Sequence, residues 1–182
     1  MKYLLTTIVL AGLLLGCKNV ATVETPRQTV TIKPVNTDPA PQTPVTTTAA
    51  ALPAFRMLNA GNQVINLSQF KGKKVFVNLW ATWCPPCRAE IPSIERLGAK
   101  TDRSKVEFVM LSLDDNFEKA KSYAVKNNMK LPVYYPAGDL PSLFSVDGIP
   151  VTFIFNEKGE IIYQEVGSAN YDTQAFLNML KN

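Results

Sequence analysis

Two cysteines, Cys84 and Cys87, follow closely after a nearly continuous apolar run, and this arrangement restricts the fold more than any other feature of the sequence. The run, residues 74–80, has the length and composition of a strand buried on both faces. Residues 86–100 carry apolar side chains at helical spacing. We therefore predict that the cysteines lie at the junction between a buried strand and a helix.

The other predicted elements surround this junction. In chain order they are a β-hairpin (residues 55–58 and 64–67), a strand (106–113), a polar helix (116–127), a second hairpin (151–155 and 161–166) and a closing helix (171–180). The middle of this order predicts parallel strands joined by a right-handed crossover. The fold class is therefore α/β, with a central mixed sheet flanked by helices and an N-terminal β-hairpin.

The N-terminus has the pattern of an export signal. Residues 4–15 are almost wholly apolar, but they are too few for a membrane-spanning helix, which needs ~20 residues. We predict a secretory signal peptide over residues 1–16. It ends Leu14-Leu15-Gly16-Cys17, which resembles a bacterial lipobox, and this resemblance implies that Cys17 carries a lipid. An ordinary signal peptide with a free Cys17 stays open.

The segment after Cys17 predicts a linker. Residues 18–51 contain nine Thr and five Pro, with no aromatic residue and no Gly. Such a composition cannot bury enough apolar surface to offset the entropy of ordering. We therefore predict that residues 17–51 are a lipidated cysteine and a disordered tether, and that residues 52–182 are the folded domain.

The sequence contains no histidine, and this absence excludes several classes of chemistry. Serine and cysteine hydrolases that use a histidine base are excluded, and so are imidazole metal sites and covalent haem attachment. We predict no metal and no cofactor. The net charge is +4, and no run of five like charges occurs, so nucleic acid is not a predicted partner.

The spacing of the cysteine pair suits reversible disulfide chemistry. Cysteines at positions i and i+3 of a helical turn lie about 5.5 Å apart at Cα, within disulfide reach. At a helix N-terminus, Cys84 meets unpaired N–H groups that favour the thiolate. Pro85 and Pro86 stiffen the loop but remove two of those N–H donors. We expect Cys84 to be exposed and Cys87 to be more buried.

The residues around the pair resemble a known family. Residues 78–92 (NLWATWCPPCRAEIP) look like the active-site segment of the thioredoxin superfamily, and within it like the TlpA/ResA-like membrane-anchored thiol-disulfide oxidoreductases. The later Gly148-Ile149-Pro150-Val151-Thr152 strengthens the resemblance. The resemblance covers residues 52–182 and implies a thioredoxin-like fold.

The resemblance also implies roles for residues near the pair. Pro150 is expected to be cis and to pack against the disulfide, and the Ile149 backbone to bind a substrate peptide. A trans Pro150 that starts a strand stays open. Pro92 matches the proline that kinks the active-site helix. Trp83 is expected to shield the pair on one side, with plain surface packing as the alternative.

Two polar positions bear on proton transfer. Typical thioredoxins have a buried Asp six residues before the first cysteine, but here that position is Asn78, which cannot take a proton. ResA-like proteins have a Glu at the position of Glu90, and this match implies that Glu90 is the proton shuttle for the pair. Alternatively, Glu90 is a solvated helix charge paired with Arg88 or Arg96.

The resemblance implies a thiol-disulfide oxidoreductase whose redox group is the Cys84–Cys87 disulfide. We expect a monomeric reductase of protein disulfides, with apocytochrome c as one candidate client and a membrane thiol carrier as electron donor. A thiol oxidase or isomerase, a thiol peroxidase, and a non-catalytic binding lipoprotein with a structural disulfide are the alternatives. Cys17 implies a lipid anchor on the extracytoplasmic side of the envelope, and Lys18 favours the outer membrane in a Gram-negative cell.

Overall fold

Residues 51–181 are described by the computed structural model, and they form seven strands and three α-helices. The elements are β1 (Arg56–Asn59), β2 (Val64–Asn66), β3 (Lys74–Trp80), α1 (Pro85–Ala99), β4 (Val106–Ser112), α2 (Phe117–Lys126), β5 (Val133–Pro136), β6 (Val151–Phe155), β7 (Ile161–Val166) and α3 (Gln174–Lys181). Two 3-10 turns, Leu67–Phe70 and Ser142–Phe144, lie after β2 and before β6. Between residues 51 and 181, no helix has both the length and the apolar character needed to cross a bilayer.

All seven strands belong to one mixed sheet, in the order β2-β1-β5-β4-β3-β6-β7. The central strands β3, β4 and β5 are parallel, and the pairs at both sides are antiparallel. Because β3 has a neighbour on each side and a core on each face, all seven of its residues are buried. The predicted mixed sheet with an N-terminal hairpin is confirmed.

Side chains of β3 alternate between two hydrophobic cores. Phe76 and Trp80 pack in the core that contains the buried residues of α1, whereas Val77 and Leu79 pack in the core on the opposite face. Successive strand residues point to opposite faces, so Asn78 lies on the same face as Phe76 and Trp80. The alternation therefore places one amide side chain in the apolar layer beneath α1.

Apart from shifts of one residue at element ends, two predictions of secondary structure are wrong, and each has a cause in tertiary contacts. The prediction omitted β5, a strand of four residues that ends in Pro136 and joins the N-terminal hairpin to the central strands. The closing helix begins at Gln174, not at residue 171. Tyr171 is fully buried, and its N–H donates to the Ser93 hydroxyl at 3.0 Å, so its backbone is held outside the helix.

The predicted signal peptide, the lipidated Cys17 and residues 18–50 of the predicted linker lie outside the described residues. The first described residue, Ala51, forms an isolated bridge with Glu160.

Candidate active site

The two cysteines lie at the predicted junction. β3 ends at Trp80 and α1 begins at Pro85, so Cys84 is the residue immediately before the helix. Cys84 and Cys87 form a disulfide, and their Cα atoms are 5.3 Å apart, close to the distance that the spacing predicts. The pair can therefore cycle between disulfide and dithiol without a large movement of the backbone.

The N-terminus of α1 offers few backbone N–H donors to the Cys84 sulfur. Cys84 is the N-cap residue, and its Sγ accepts a hydrogen bond from the Cys87 N–H at 3.2 Å. Pro85 and Pro86 occupy the first two helical positions, which therefore have no N–H to donate. The Cys87 N–H is thus the one first-turn donor that remains for a Cys84 thiolate.

The prediction that Cys84 is exposed is wrong. Cys84 is only 3% exposed and Cys87 is fully buried. The cause is the loop before β6, since the Ile149 carbonyl oxygen lies 3.7 Å from the Cys84 Sγ. A client sulfur must therefore reach Cys84 through a narrow opening.

The loop that covers Cys84 contains the predicted cis-proline. The Ile149–Pro150 peptide bond is cis, so the alternative of a trans Pro150 is wrong. The Pro150 carbonyl accepts from the Gly167 N–H at 2.9 Å, which joins this loop to the end of β7. Binding of a substrate peptide by the Ile149 backbone stays a prediction.

Trp83 and Pro92 are the other two predicted positions near the pair. Trp83, which directly precedes Cys84, is 63% exposed. Shielding of the disulfide by Trp83 stays a prediction. Pro92 lies inside α1, where it cannot donate the usual backbone hydrogen bond, and the helix continues past it to Ala99. A kink at Pro92 also stays a prediction.

Glu90 is buried behind the disulfide. It is 2% exposed and lies on the same buried face of α1 as Cys87. One carboxylate oxygen accepts from the Asn78 amide at 2.8 Å, and the other accepts from the Ala169 N–H at 3.1 Å. The alternative of a solvated charge paired with a neighbouring arginine is therefore wrong.

Burial raises the pKa of Glu90 to about 7, because a carboxylate loses its hydration inside the protein. The hydrogen bonds from Asn78 and Ala169 act in the opposite direction, since they favour the charged form. The negative charge of Glu165 raises the pKa slightly further. Glu90 can therefore both accept and release a proton near neutral pH.

Asn78 connects Glu90 to the central sheet. Its amide nitrogen donates to Glu90 and also, at 3.0 Å, to the Thr152 hydroxyl on β6. Its carbonyl oxygen is buried and has no partner among the described residues. From the sequence, Asn78 is predicted only to be unable to take a proton. A polar residue inside an otherwise apolar buried strand is the signal that could have indicated its contact with Glu90.

A shallow groove lies between the start of α1 and the end of α2. It is lined by Pro85, Arg88 and Ala89 of α1 and by Tyr123, Lys126 and Asn127 at the end of α2. Between residues 51 and 181, neither of its two cations forms an ion pair. No group of three or more Cys, Asp or Glu that could hold a metal occurs in the same range.

Comparison with known proteins agrees with this geometry. The sequence model of the Redoxin family matches residues 47–180. The thiol-disulfide oxidoreductase ResA of Bacillus thuringiensis is 31% identical over 116 residues, which cover 63% of this chain and 67% of ResA. The thioredoxin-like protein YneN of Bacillus subtilis is 32% identical over 118 residues, covering 64% of this chain and 69% of YneN.

Solved structures give the same result. A Chlorobium tepidum protein described as the thiol:disulfide interchange protein DsbE aligns with a TM-score of 0.63 and 27% identity, covering 72% of this chain and 94% of that protein. StoA of Bacillus subtilis aligns with a TM-score of 0.57 and 26% identity, covering 69% of this chain and 99% of StoA. The chain therefore belongs to the Redoxin family, within the TlpA/ResA-like branch of the thioredoxin superfamily, and it is a thiol-disulfide oxidoreductase.

Proposed function

We propose that this oxidoreductase is a lipid-anchored reductase of protein disulfides on the extracytoplasmic side of the cell envelope, with Glu90 as the proton carrier of its cysteine pair. The observation that carries the proposal is the position of Glu90. A carboxyl group with a pKa of about 7 is buried one helical turn after Cys87, on the same face of α1. Neither cysteine can exchange protons freely with bulk water, because both are buried.

The reaction begins with the dithiol form of the protein. The Cys84 thiolate attacks one sulfur of a client disulfide, so the client S–S bond breaks and the first client thiolate leaves. This step forms a mixed disulfide between the client and Cys84. The leaving thiolate takes a proton from solvent, and Cys87 remains as the buried thiol.

The second step releases the reduced client. Cys87 transfers its proton to the Glu90 carboxylate, and the resulting thiolate attacks the Cys84 sulfur. The mixed disulfide breaks, the Cys84–Cys87 disulfide forms, and the second client thiolate leaves and is protonated. Two electrons have passed to the client. A dithiol electron donor in the membrane then reduces the Cys84–Cys87 disulfide and is itself oxidised to a disulfide. The proton held by Glu90 returns to the Cys87 sulfur, which completes the cycle.

Client recognition uses the surfaces around the narrow opening to Cys84. Trp83 offers an exposed apolar ring on the chain segment that leads to Cys84, and the Ile149 carbonyl oxygen lies 3.7 Å from the Cys84 sulfur. An extended client segment can therefore lie across the disulfide. Apocytochrome c, whose cysteines must be reduced before haem attachment, is one candidate client.

The envelope location rests on the N-terminal sequence. The lipobox-like Leu14-Leu15-Gly16-Cys17 supports a lipid on Cys17, and the Thr- and Pro-rich segment that follows supports a tether. Disulfides persist outside the cytoplasm, so a reductase there must act only on selected client proteins. In a Gram-negative cell, Lys18 supports an outer-membrane anchor.

A turnover assay tests catalysis by the pair. The full-length chain, supplied with dithiothreitol, is expected to accelerate insulin reduction, and Cys84→Ser is expected to remove that acceleration. An intact wild-type chain that gives no acceleration would contradict the proposal.

The reduction potential of the pair tests the direction of the reaction. Equilibration with glutathione is expected to give a value near that of thioredoxin, about −270 mV. A value near −120 mV would identify a thiol oxidant instead.

A further inference from the structure

A second buried carboxylate, Asp114, lies at the end of β4 and contacts the turn that leads to Cys84. One of its oxygens accepts from the Thr82 hydroxyl at 2.6 Å, and the other accepts from the Ser112 hydroxyl at 2.8 Å. The Thr82 N–H donates to both oxygens, at 3.2 and 3.1 Å. A single side chain thus binds the backbone and the side chain of the residue two positions before Cys84.

Asp114 is buried, so it cannot serve only to keep the protein surface soluble. Asp114 is 4% exposed, and no Lys or Arg of residues 51–181 lies within ion-pair distance of it. Removing a carboxylate from water is unfavourable unless hydrogen bonds replace the lost hydration. Its neighbour Asp115 shows the ordinary arrangement, since that side chain is 76% exposed and pairs with Lys119.

The backbone around Thr82 shows what the carboxylate fixes. The Leu113 N–H donates to the Trp80 carbonyl at 2.7 Å, so the end of β4 is also bonded to the end of β3. The Cys84 N–H donates to the Ala81 carbonyl at 3.2 Å, which closes a tight turn. Thr82 lies inside that turn, where no strand or helix supplies its backbone with a partner.

We propose that Asp114 is a positioning residue for thiol-disulfide exchange, whose carboxylate holds the Ala81–Cys84 turn so that the Cys84 sulfur keeps its place at the start of α1. The Cys84 sulfur depends on this turn for its contact with the Cys87 N–H. A turn that moves by an ångström loses that contact and turns the sulfur away from the opening. The proposal relies on the proposed function for its turnover measurement alone.

Three variants of the full-length chain separate the hydrogen bonds from the charge. Asp114→Ala removes both. Asp114→Asn keeps one oxygen for the Thr82 hydroxyl and N–H and presents its NH2 group to the Ser112 hydroxyl, which can accept. Both elements stay connected without the charge, and only the second acceptor of the Thr82 N–H is lost. Asp115→Ala is the matched control, because it removes the neighbouring aspartate that makes no contact with the turn.

Two measurements are made on each reduced variant. The first is the rate at which iodoacetamide alkylates Cys84 as a function of pH, which reports the thiolate without any client. The second is insulin reduction, separated into kcat and KM. We expect Asp114→Ala to raise the pH of half-maximal alkylation and to lower kcat about tenfold, since misplacement of a reacting atom reduces the rate more than binding. For Asp114→Asn we expect the pH of half-maximal alkylation not to rise and kcat to stay within about twofold of the wild type. For Asp115→Ala we expect the alkylation midpoint and kcat to be unchanged.

Each outcome decides the proposal. A folded Asp114→Ala with the wild-type alkylation profile and kcat would overturn it. An Asp114→Asn chain as impaired as Asp114→Ala would also overturn it, because the charge rather than the positioning would then matter. If Asp114→Ala does not fold, Thr82→Val takes its place, because it removes the hydroxyl that donates to Asp114. The proposal then requires the pH of half-maximal alkylation of Thr82→Val to rise while its Tm stays unchanged. If the wild type fails to reduce insulin, the proposed function fails, while the alkylation profile still tests Asp114.

Discussion

Two carboxylates are buried near the cysteine pair, and they differ in the number of donors around them. Glu90, behind Cys87, is 2% exposed and accepts one hydrogen bond from Asn78 and one from the Ala169 N–H. Asp114, beneath the turn before Cys84, is 4% exposed and accepts from two hydroxyl groups and a backbone N–H that reaches both oxygens.

This difference in hydrogen-bond donors distinguishes a carboxyl group that carries a proton from one that holds the backbone in place. Each donor to a buried carboxylate favours its charged form, and burial favours its neutral form. At Glu90 burial outweighs two donors and raises the pKa to about 7. Two of the three donor groups of Asp114 instead belong to Thr82 in the turn, and the third is the Ser112 hydroxyl on β4, so that carboxylate connects the turn to the end of β4. Similar burial thus allows different roles.

Removing the carboxyl group of Glu90 is expected to have the largest effect. Glu90→Gln keeps the size of the side chain but cannot carry a proton, so we expect insulin reduction to fall about 100-fold, with the loss of one ionisation from the pH profile. The exposed Glu118, replaced in the same way, serves as the control. A Glu90→Gln chain with the wild-type rate and pH profile would show that Glu90 is not the proton carrier.

The raised pKa of Glu90 also predicts a pH dependence of stability. The folded chain binds this proton more tightly than the unfolded chain does, so its contribution to stability is complete below pH 4.5 and is lost as the pH rises through about 7. The loss is at most about 3 kcal/mol in the free energy of unfolding. Urea denaturation of the oxidised chain between pH 4 and 8 measures it, and Glu90→Gln should remove this component of the pH dependence.

Asn78→Asp makes the surroundings of Glu90 more acidic and is expected to have a smaller effect. The two carboxyl groups would then share a proton at the present distance of a hydrogen bond, and repulsion between their charges favours protonation. We expect the pH optimum of insulin reduction to move upward by about one unit. Thr152→Val removes the other partner of Asn78 without adding charge, so it should move the optimum less. An Asn78→Asp profile that coincides with the wild type would separate Asn78 from proton transfer.

The smallest effect is expected for Asp115, the exposed aspartate beside Asp114. Asp115→Ala removes an exposed i,i+4 ion pair with Lys119, and such pairs contribute little to stability. We expect its Tm to change by less than about 2 °C, whereas Asp114→Ala should lower the Tm by more than twice that amount. Equal shifts in Tm would contradict the distinction between the buried and the exposed carboxylate.

Most of the fold could be predicted because its central strands are long and apolar. The buried strands β3 and β6 agree with the prediction residue for residue, and so does the edge strand β7, whose hairpin with β6 the sequence also predicts. β5 escaped prediction because it has four residues, ends in Pro136 and takes its place only through pairing with β1 and β4. Tyr171 was assigned to a helix because local pattern does not report its tertiary hydrogen bond to Ser93.

In the candidate site, too, the features indicated by short motifs could be predicted, and those that depend on long-range contacts could not. The disulfide of Cys84 and Cys87 and the cis bond at Pro150 could be predicted from short motifs. The burial of Cys84 could not, because the loop that covers it lies 65 residues further along the chain. Asp114 also went unnoticed, since its hydrogen bonds with Thr82 join residues 32 positions apart and no local pattern indicates them.

The titration of Glu90 tests the central claim most directly. NMR of the full-length chain, labelled with carbon-13 at the glutamate carboxyl groups, follows each group with pH, and the signal that Glu90→Gln lacks belongs to Glu90. We expect a midpoint at about 7. A midpoint near 4.5, the ordinary value for a glutamate, would contradict the role of Glu90 as a proton carrier.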